Sequence, residues 1–423
     1  MDKIVIEGGR RLEGEIRIAG AKNAALPALA ATLLCPGKFV FSNVPDLKDI
    51  ETMCKLLAEM GAVVKKESSG ILTVDTERLE HCEASYDLVR TMRASCLVLG
   101  PLLARLGKSR ISLPGGCAIG ERPINLHLKG FQNLGAHIAL EEGYVNASAP
   151  DGLAGQKVYF DLVTVTGTEN LMMAAVGAKG TTILENAARE PEVTFLADML
   201  NKMGADIQGA GTDRVVINGG RTLKAVEIAV IPDRVETGTF MAAAAITGGH
   251  LKLTGCTPLH LEAVTLKLIE MGCTINEGND WLEVSGPKRP HPVDIETDPY
   301  PSFPTDMQAQ AMAVLTVADG TSVITESVFE NRYMHVAELR RMGANILHKG
   351  KNAFVGGVEK LSGAQVMATD LRASASLIVA GLAAKGKTHV RRVYHLDRGY
   401  EKIEEKLKKV GASIARRADR GGE

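Results

Sequence analysis

One cysteine, Cys117, stands in the run Leu113-Pro-Gly-Gly-Cys117-Ala-Ile-Gly-Glu121-Arg122-Pro123, among three glycines and two prolines. Glycine and proline at this density exclude a helix or strand interior, so the thiol belongs to a loop that also carries a carboxylate and a guanidinium. A thiol near an arginine can attack, donate a proton, or merely sit in a turn, and the run by itself leaves all three open. Lys22-Asn23 begins an Ala/Leu-rich segment. A cation there opposes the helix dipole unless an anion is bound with it; the other reading is a solvated lysine beside an Asn N-cap. Arg93 lies on an apolar segment expected to be one helix from Leu88 to Leu106, where a lone arginine is more often a surface charge. Arg122 shares the glycine loop, and a guanidinium matches phosphate or carboxylate oxygens with two parallel bonds. Asp306 follows Pro299-Tyr-Pro-Ser-Phe-Pro304-Thr305, a turn stiffened by three prolines, so Thr305 or Asp306 is expected to cap the next helix. Asp233-Arg234, Asn331-Arg332 and Asp397-Arg398 set further arginines at junctions, where each Asp–Arg pair also suits an ordinary salt bridge.

Other chemistries are excluded by what is missing. The ten histidines show no metal-ligand spacing, and the seven cysteines are odd in number with no C-x-x-C pair, so neither a metal site nor a disulfide framework is expected. No P-loop or dinucleotide fingerprint is present, and no cofactor is expected. A cysteine hydrolase would want a histidine base, and near Cys117 only His127 offers one. A net charge of −1 with a single Trp and 4% aromatics gives no basis for nucleic-acid binding. No apolar stretch approaches the ~18 residues of a membrane span. The charged N-terminus does not read as a signal peptide, so a cytoplasmic, reduced setting is expected. Cys54 and Cys96 fall on apolar helix faces and are expected in the core.

The elements that must position these residues show a sixfold pattern. Gly61, Gly135, Gly204, Gly272, Gly343 and Gly411 each follow an amphipathic helical pattern, at spacings of 74, 69, 68, 71 and 68 residues. Each glycine falls where a helix end wants positive φ. Alanine-rich helices are expected earlier in the units, at 22–34, 169–176, 238–247, 306–317 and 371–384. At 423 residues the chain exceeds one ordinary core, so the six units are expected to form two pseudo-symmetric domains of three. One would span 22–230 and carry the Cys117 loop; the other would combine 1–21 with 231–423. The strands at 3–7 and 14–18 are expected to complete the last unit, so that the chain crosses between domains twice and leaves a ligand cleft between them.

Taken in order, Gly20-Ala-Lys22-Asn23-Ala, Thr91-Met-Arg93-Ala-Ser, Leu113 to Pro123, Asp233-Arg234-Val-Glu-Thr-Gly-Thr, Phe303-Pro-Thr-Asp306-Met-Gln-Ala-Gln, Glu330-Asn-Arg332-Tyr-Met-His335, Thr369-Asp370-Leu-Arg372-Ala and Leu396-Asp-Arg398-Gly-Tyr resemble the UDP-N-acetylglucosamine 1-carboxyvinyltransferase family, EPSP synthase-like enolpyruvyl transferases. The resemblance covers essentially the whole chain. It implies an α/β fold of two inside-out α/β barrel domains, each of three βαβαββ repeats. It implies transfer of the enolpyruvyl group of phosphoenolpyruvate to the 3′-hydroxyl of UDP-N-acetylglucosamine, with phosphate released, in peptidoglycan precursor synthesis. Both partners are small molecules, and no obligate protein partner is evident. By the same resemblance Cys117 donates the proton to C3, Asp306 is the base for the hydroxyl, and Lys22, Asn23, Arg122 and Arg398 clamp phosphoenolpyruvate with help from Arg332. The sugar nucleotide would meet Asn23, Arg93, Arg122, Pro123, Ile124, Asn125, Leu126, Thr164, Val165, Asp306 and Val328. It would bind first, and the Cys117 loop would then fold over it.

Two departures bear on these contacts. Asn125 stands where the family often has Asp, and Thr164-Val-Thr-Gly-Thr168 replaces a Ser-Val-Gly-Ala-Thr loop, with Leu162 where a relative carries lysine. Three other readings compete. Transfer to shikimate 3-phosphate on the same fold would not use the cysteine-bearing glycine loop. A non-catalytic sugar-nucleotide sensor would be expected to have lost Cys117, Asp306 or Arg398. A purely structural repeat protein predicts no convergence of these residues.

Overall fold

The computed structural model describes residues 2–68, 70–113 and 124–419. The segment 114–123, with Cys117, Arg122 and Pro123, lies outside the described residues. The described residues divide into two units, one holding 20–113 with 124–231 and the other 2–19 with 232–419. The divisions fall after Ala19 and after Ile231. At that place the Ala21 N–H donates to the Ile231 carbonyl at 2.7 Å, which keeps these residues in the first unit.

A helix that is apolar on every side has to be enclosed. In the second unit three helices meet this description: Arg234–Thr247, Thr305–Leu315 and Leu371–Ala383. They pack on one another, and sheets lie over them. The first unit is built around Lys22–Ala31, Leu99–Leu106 and Val165–Val176 in the same manner. Among the described residues each unit has three four-stranded sheets, all with one order: an edge strand parallel to its neighbour, then two antiparallel steps. Six amphipathic helices complete the pattern, and the glycine after each has positive φ: Gly61 (101°), Gly135 (95°), Gly204 (115°), Gly272 (95°), Gly343 (89°) and Gly411 (96°).

Two local expectations are corrected. The 88–106 segment is not one helix; it runs as Tyr86–Val89, a 3₁₀ turn Arg93–Val98, and Leu99–Leu106. At the second junction the cause is Asn170, whose amide donates to the Cys96 carbonyl (2.8 Å) while its oxygen accepts the Gly100 N–H (2.7 Å). Those two groups would bond each other in a continuous helix, and a side chain inserted into the ladder breaks it. Of the two N-terminal strands, only Asp2–Glu7 joins the last sheet; Glu13–Arg17 runs parallel to His250–Thr254 at the edge of another. Only Ile16 of that strand is buried, which suits an edge position.

Two buried acids show how far this packing is enforced. Glu236, wholly inside the second unit, accepts the Ala19 N–H at 2.7 Å and the Lys406 ammonium at 2.6 Å. Burial pushes its carboxyl up, and Lys406 and the Ala19 amide oppose that shift. Glu169 in the first unit is pushed well above the usual carboxylate range by burial, with repulsion from Glu192 and Glu190 adding to it.

Removing one partner of a buried ion pair strands the other. Glu236→Ala is therefore expected to destabilise the protein by about 3 kcal/mol, read by denaturant unfolding; a loss within ~0.5 kcal/mol would sink that role. For Glu169 the sign is opposite. Its folded-state pKa lies above the unfolded value near 4.5, so stability is lost as pH rises above that value. Glu169→Gln should melt higher than wild type at pH 7.5, and the gap should close toward pH 4.5. A gap independent of pH would contradict the assignment.

Candidate active site at the helix starts

A buried helix can meet water only at its ends, and in each unit the starts of these helices carry several of the residues singled out by sequence. Lys22 is the first residue of Lys22–Ala31, whose N-cap is Ala21 rather than an asparagine. Its side chain is 12% exposed and lies 3.1 Å from the carboxylate of Asp49, itself buried in the first turn of Lys48–Glu59. The lysine is held, not solvated. Asn23 beside it is exposed. Arg93 opens the 3₁₀ turn that leads into Leu99–Leu106, where it is half-buried. Ile124 caps Asn125–Asn133 and is buried, Asn125 is exposed, and Leu126 packs against the core.

Thr164 caps Val165–Val176, its hydroxyl accepting the Gly167 N–H at 3.2 Å. Leu162 just before it is 72% exposed. His127 is not placed to act as a base. It is buried, with Nδ1 3.1 Å from the Asn170 amide and Nε2 3.3 Å from the Thr166 hydroxyl. Because the Asn170 amide donates, Nδ1 accepts and Nε2 carries the hydrogen. Burial and, secondarily, Arg93 lower its pKa to about 3, so the ring is neutral. Burial also raises the thiols of Cys35, Cys54 and Cys256 to about 11 and those of Cys96 and Cys273 to about 12, which silences them as nucleophiles.

In the second unit Asp306 is not the cap of its helix. Pro304 holds that position, and Asp306 is the second helical residue. Its two oxygens are taken separately: Oδ1 by the Arg332 guanidinium at 2.6 Å and Oδ2 by the Arg372 guanidinium at 2.7 Å. Both arginines are buried, whereas the Asp306 side chain is 28% exposed. Charge-assisted bonds of this kind fix position and ionisation together, and the helix dipole favours the same negative charge. Burial works against the Arg372 charge, but Asp306 outweighs it and drives the guanidinium pKa further up.

Arg372 is positioned in turn. It lies in the first turn of Leu371–Ala383, whose N-cap Asp370 accepts the N–H groups of Arg372 (2.8 Å) and Ala373 (3.0 Å). Its other nitrogen is 3.4 Å from the buried Tyr400 hydroxyl, which also meets Thr239 at 2.8 Å and Gln310 at 3.3 Å. Arg398 ends the 3₁₀ turn Val393–Arg398 and is half-buried. Its neighbour Asp397 is bound by Arg416 at 2.6 and 3.0 Å, and Asp233 caps its helix through the Val235 and Glu236 N–H groups. Val328, half-buried, donates its N–H to Glu326 at 2.9 Å.

Sequence reasoning placed Asp306 and Arg332 in the site and missed Arg372, Asp370, Tyr400 and Asp49. Arg372 and Asp370 share the motif Thr369-Asp370-Leu-Arg372-Ala. An Asp N-cap followed two residues later by Arg was the available signal for them. Among the described residues no group of three or more His, Cys, Asp or Glu side chains is arranged to hold a metal ion, and no helix is long and apolar enough to cross a membrane.

Comparison with known proteins bears directly on these arrangements. The family model for EPSP synthase (3-phosphoshikimate 1-carboxyvinyltransferase) matches residues 6–407. A protein of Trichlorobacter lovleyi named UDP-N-acetylglucosamine 1-carboxyvinyltransferase is 58% identical over 416 residues, covering 98% of this chain and 99% of its own. One of the same name from Thermodesulfovibrio yellowstonii is 57% identical over 417 residues, covering 98% and 100%. Among solved structures, the enolpyruvyl transferase NikO from Streptomyces tendae superposes with a TM-score of 0.88 at 26% identity, covering 98% of each chain. EPSP synthase from Acinetobacter baumannii superposes at 0.77 with 18% identity, covering 99% of this chain and 100% of its own, a likeness of fold alone. The match runs through nearly the full length of both chains, and the chain belongs to the EPSP synthase family, on its UDP-N-acetylglucosamine 1-carboxyvinyltransferase branch.

Proposed function

We propose that this protein transfers the enolpyruvyl group of phosphoenolpyruvate to the 3′-hydroxyl of UDP-N-acetylglucosamine and releases phosphate, the step its relatives are named for. The observation that carries the reading is Asp306, an ionised carboxylate fixed at both oxygens at the start of an enclosed helix. A base so held keeps its orientation without reorganising during the reaction.

The chemistry sets four demands. The sugar hydroxyl loses its proton to Asp306 as its oxygen bonds C2 of phosphoenolpyruvate. C3 gains a proton, a role that falls to Cys117, whose ordinary thiol pKa near ~8.5 leaves it protonated at neutral pH. The product of this addition is a tetrahedral ketal. C3 then returns a proton, the C2–O bond to phosphate breaks, and the double bond re-forms. Lys22, Arg122 and Arg398 would neutralise the phosphate and carboxylate, with Asn23 beside them. Lys22 is already held by Asp49, so it enters that task with little freedom to lose.

Arg332 is better read as a positioning residue for Asp306 than as a phosphoenolpyruvate ligand, since it is 3% exposed and already engaged. Sugar-nucleotide contacts are assigned to Asn23, Arg93, Arg122, Pro123, Ile124, Asn125, Leu126, Thr164, Val165, Asp306 and Val328. The start of Val165–Val176 suits a diphosphate through its amides, whichever side chains flank it. We read the six like-ordered sheets around enclosed helices as two inside-out α/β barrel domains of three βαβαββ repeats each. The matching order in all six sheets supports that reading.

The test is phosphate release with both substrates present. Wild type should release phosphate and Cys117→Ser should lose most of the rate. No release from wild type overturns the function, and full activity in the variant overturns only the role of the thiol. Asp306→Asn should lower kcat by roughly 10²–10⁴-fold with a small effect on KM. Arg372→Lys keeps the charge but loses the planar fork, so a kcat loss on the order of 10² with unchanged KM for the sugar nucleotide is expected. A variant with unaltered kcat would show that the Arg372 contact does not position the base.

A further inference from the structure

The sheet formed by Gln365–Met367, Lys387–Arg391, Asp2–Glu7 and Ser413–Ala418 carries charge that the proposed reaction leaves unused. Side chains alternate across a strand. Ile4, Ile6, Val390 and Ile414 are buried toward the Leu371–Ala383 helix, so their neighbours point outward. The pairing register puts Lys3 opposite Arg391 on one side and opposite Arg417 on the other, three cations in a single row. In the next row Val5 lies between His389 and Ala415, and in the third Glu7 lies between Lys387 and Ser413. Short side chains floor the middle of this face and long cationic ones wall it, around a cavity of about 650 Å³.

The charges do not cancel. Asp419 lies 3.2 Å from Lys3 and 3.5 Å from Arg391. Among the described residues Lys387 and Arg417 have no ion-pair partner. His389 feels the surplus: burial lowers its pKa first, and Lys3, Arg391, Lys387 and Arg417 each lower it further. Like charges directly opposite one another weaken a sheet. Asp419 answers part of the row from within the chain, and the surplus that remains is kept against the interest of the fold unless further counter-charge arrives from outside.

We propose that this outer face is a second binding site, for a small ligand carrying a diphosphate or triphosphate group, with Arg391, Lys3 and Arg417 on its oxygens and Lys387 at the far end. The arginines present forks that match phosphate oxygens, and the cavity falls within the ~300–1,000 Å³ of small-molecule sites. No Phe, Tyr or Trp lines it, so single-stranded nucleic acid would find no stacking platform beyond the single His389 ring. The site lies on the reverse of the sheet from the helix that carries Arg372, and it goes beyond the proposed reaction.

The experiment compares wild type with the Lys387→Gln/Arg417→Gln double variant, titrated with inorganic pyrophosphate and with UDP by calorimetry and thermal shift at low salt. Wild type should show one more binding event than the double variant, or an affinity at least tenfold tighter, and pyrophosphate should stabilise wild type more strongly than the double variant. Phosphate release from the two substrates should be equal in both, so failure here is separable from failure of the proposed activity. Tighter binding of UDP than of pyrophosphate at this face would identify a nucleotide as the natural source. Equal binding would identify an oligophosphate, and either supports the site. Without ligand, Arg417→Gln should melt no lower than wild type, because it relieves repulsion. Identical titrations of wild type and the double variant would overturn the proposal, as would a lower melting point for Arg417→Gln. Retention on phosphatidylglycerol vesicles that pyrophosphate does not displace would overturn it in favour of a lipid surface.

Discussion

Enclosure of the alanine-rich helices is the constraint on which the remaining features depend. A helix buried along its whole length, as Arg234–Thr247 is from Val235 to Ile246, leaves no flank on which a polar group could meet a substrate. Chemistry is then confined to the helix ends. Lys22, Thr164, Asp306 and Arg372 all lie at the first turn or cap of such helices, and Arg93 opens the turn that leads into another. Helix starts carry partial positive charge and unpaired N–H groups. Such helix starts suit anionic substrates before a single side chain is counted.

This arrangement also makes the site stiff. Asp306 is held by two buried guanidiniums, Arg372 is placed by its own helix cap and by Tyr400, and Tyr400 is tied to Thr239 of the neighbouring buried helix. The Asp306–Arg372 pair joins Thr305–Leu315 to Leu371–Ala383, and Tyr400 ties Arg372 to Thr239 of Arg234–Thr247, so the orientation of the base is set by the packing of all three. The first unit uses the same device for a different purpose. Asn170 threads between Cys96 and Gly100 and turns the chain there, and it also fixes the tautomer of the neutral His127.

The outer faces of the sheets are under no such restriction, and one of them departs from simple solvation. The Arg391–Lys3–Arg417 row shares its strands with the inner residues that pack on Leu371–Ala383. One sheet therefore supports the enclosed core with one face and presents uncompensated charge with the other.

Much of the local architecture was legible in the residues. Gly61 and its five counterparts marked helix ends because positive φ is a demand of the backbone at that point, met by glycine whatever lies around it. The alanine-rich helices were visible for a similar reason, since a segment with no polar face announces its burial. Asp306, Lys22 and Arg398 were singled out by the family resemblance rather than by their local settings, and Asp306 and Lys22 keep buried partners. What the tertiary structure alone decided were pairings across long stretches of chain. Arg372 reaches Asp306 over 66 residues, Asn170 breaks the helical ladder at Cys96 from 74 residues away, and Glu13–Arg17 chose His250–Thr254 as its neighbour. No local pattern encodes such contacts, because their energy exists only once both partners are desolvated in one place.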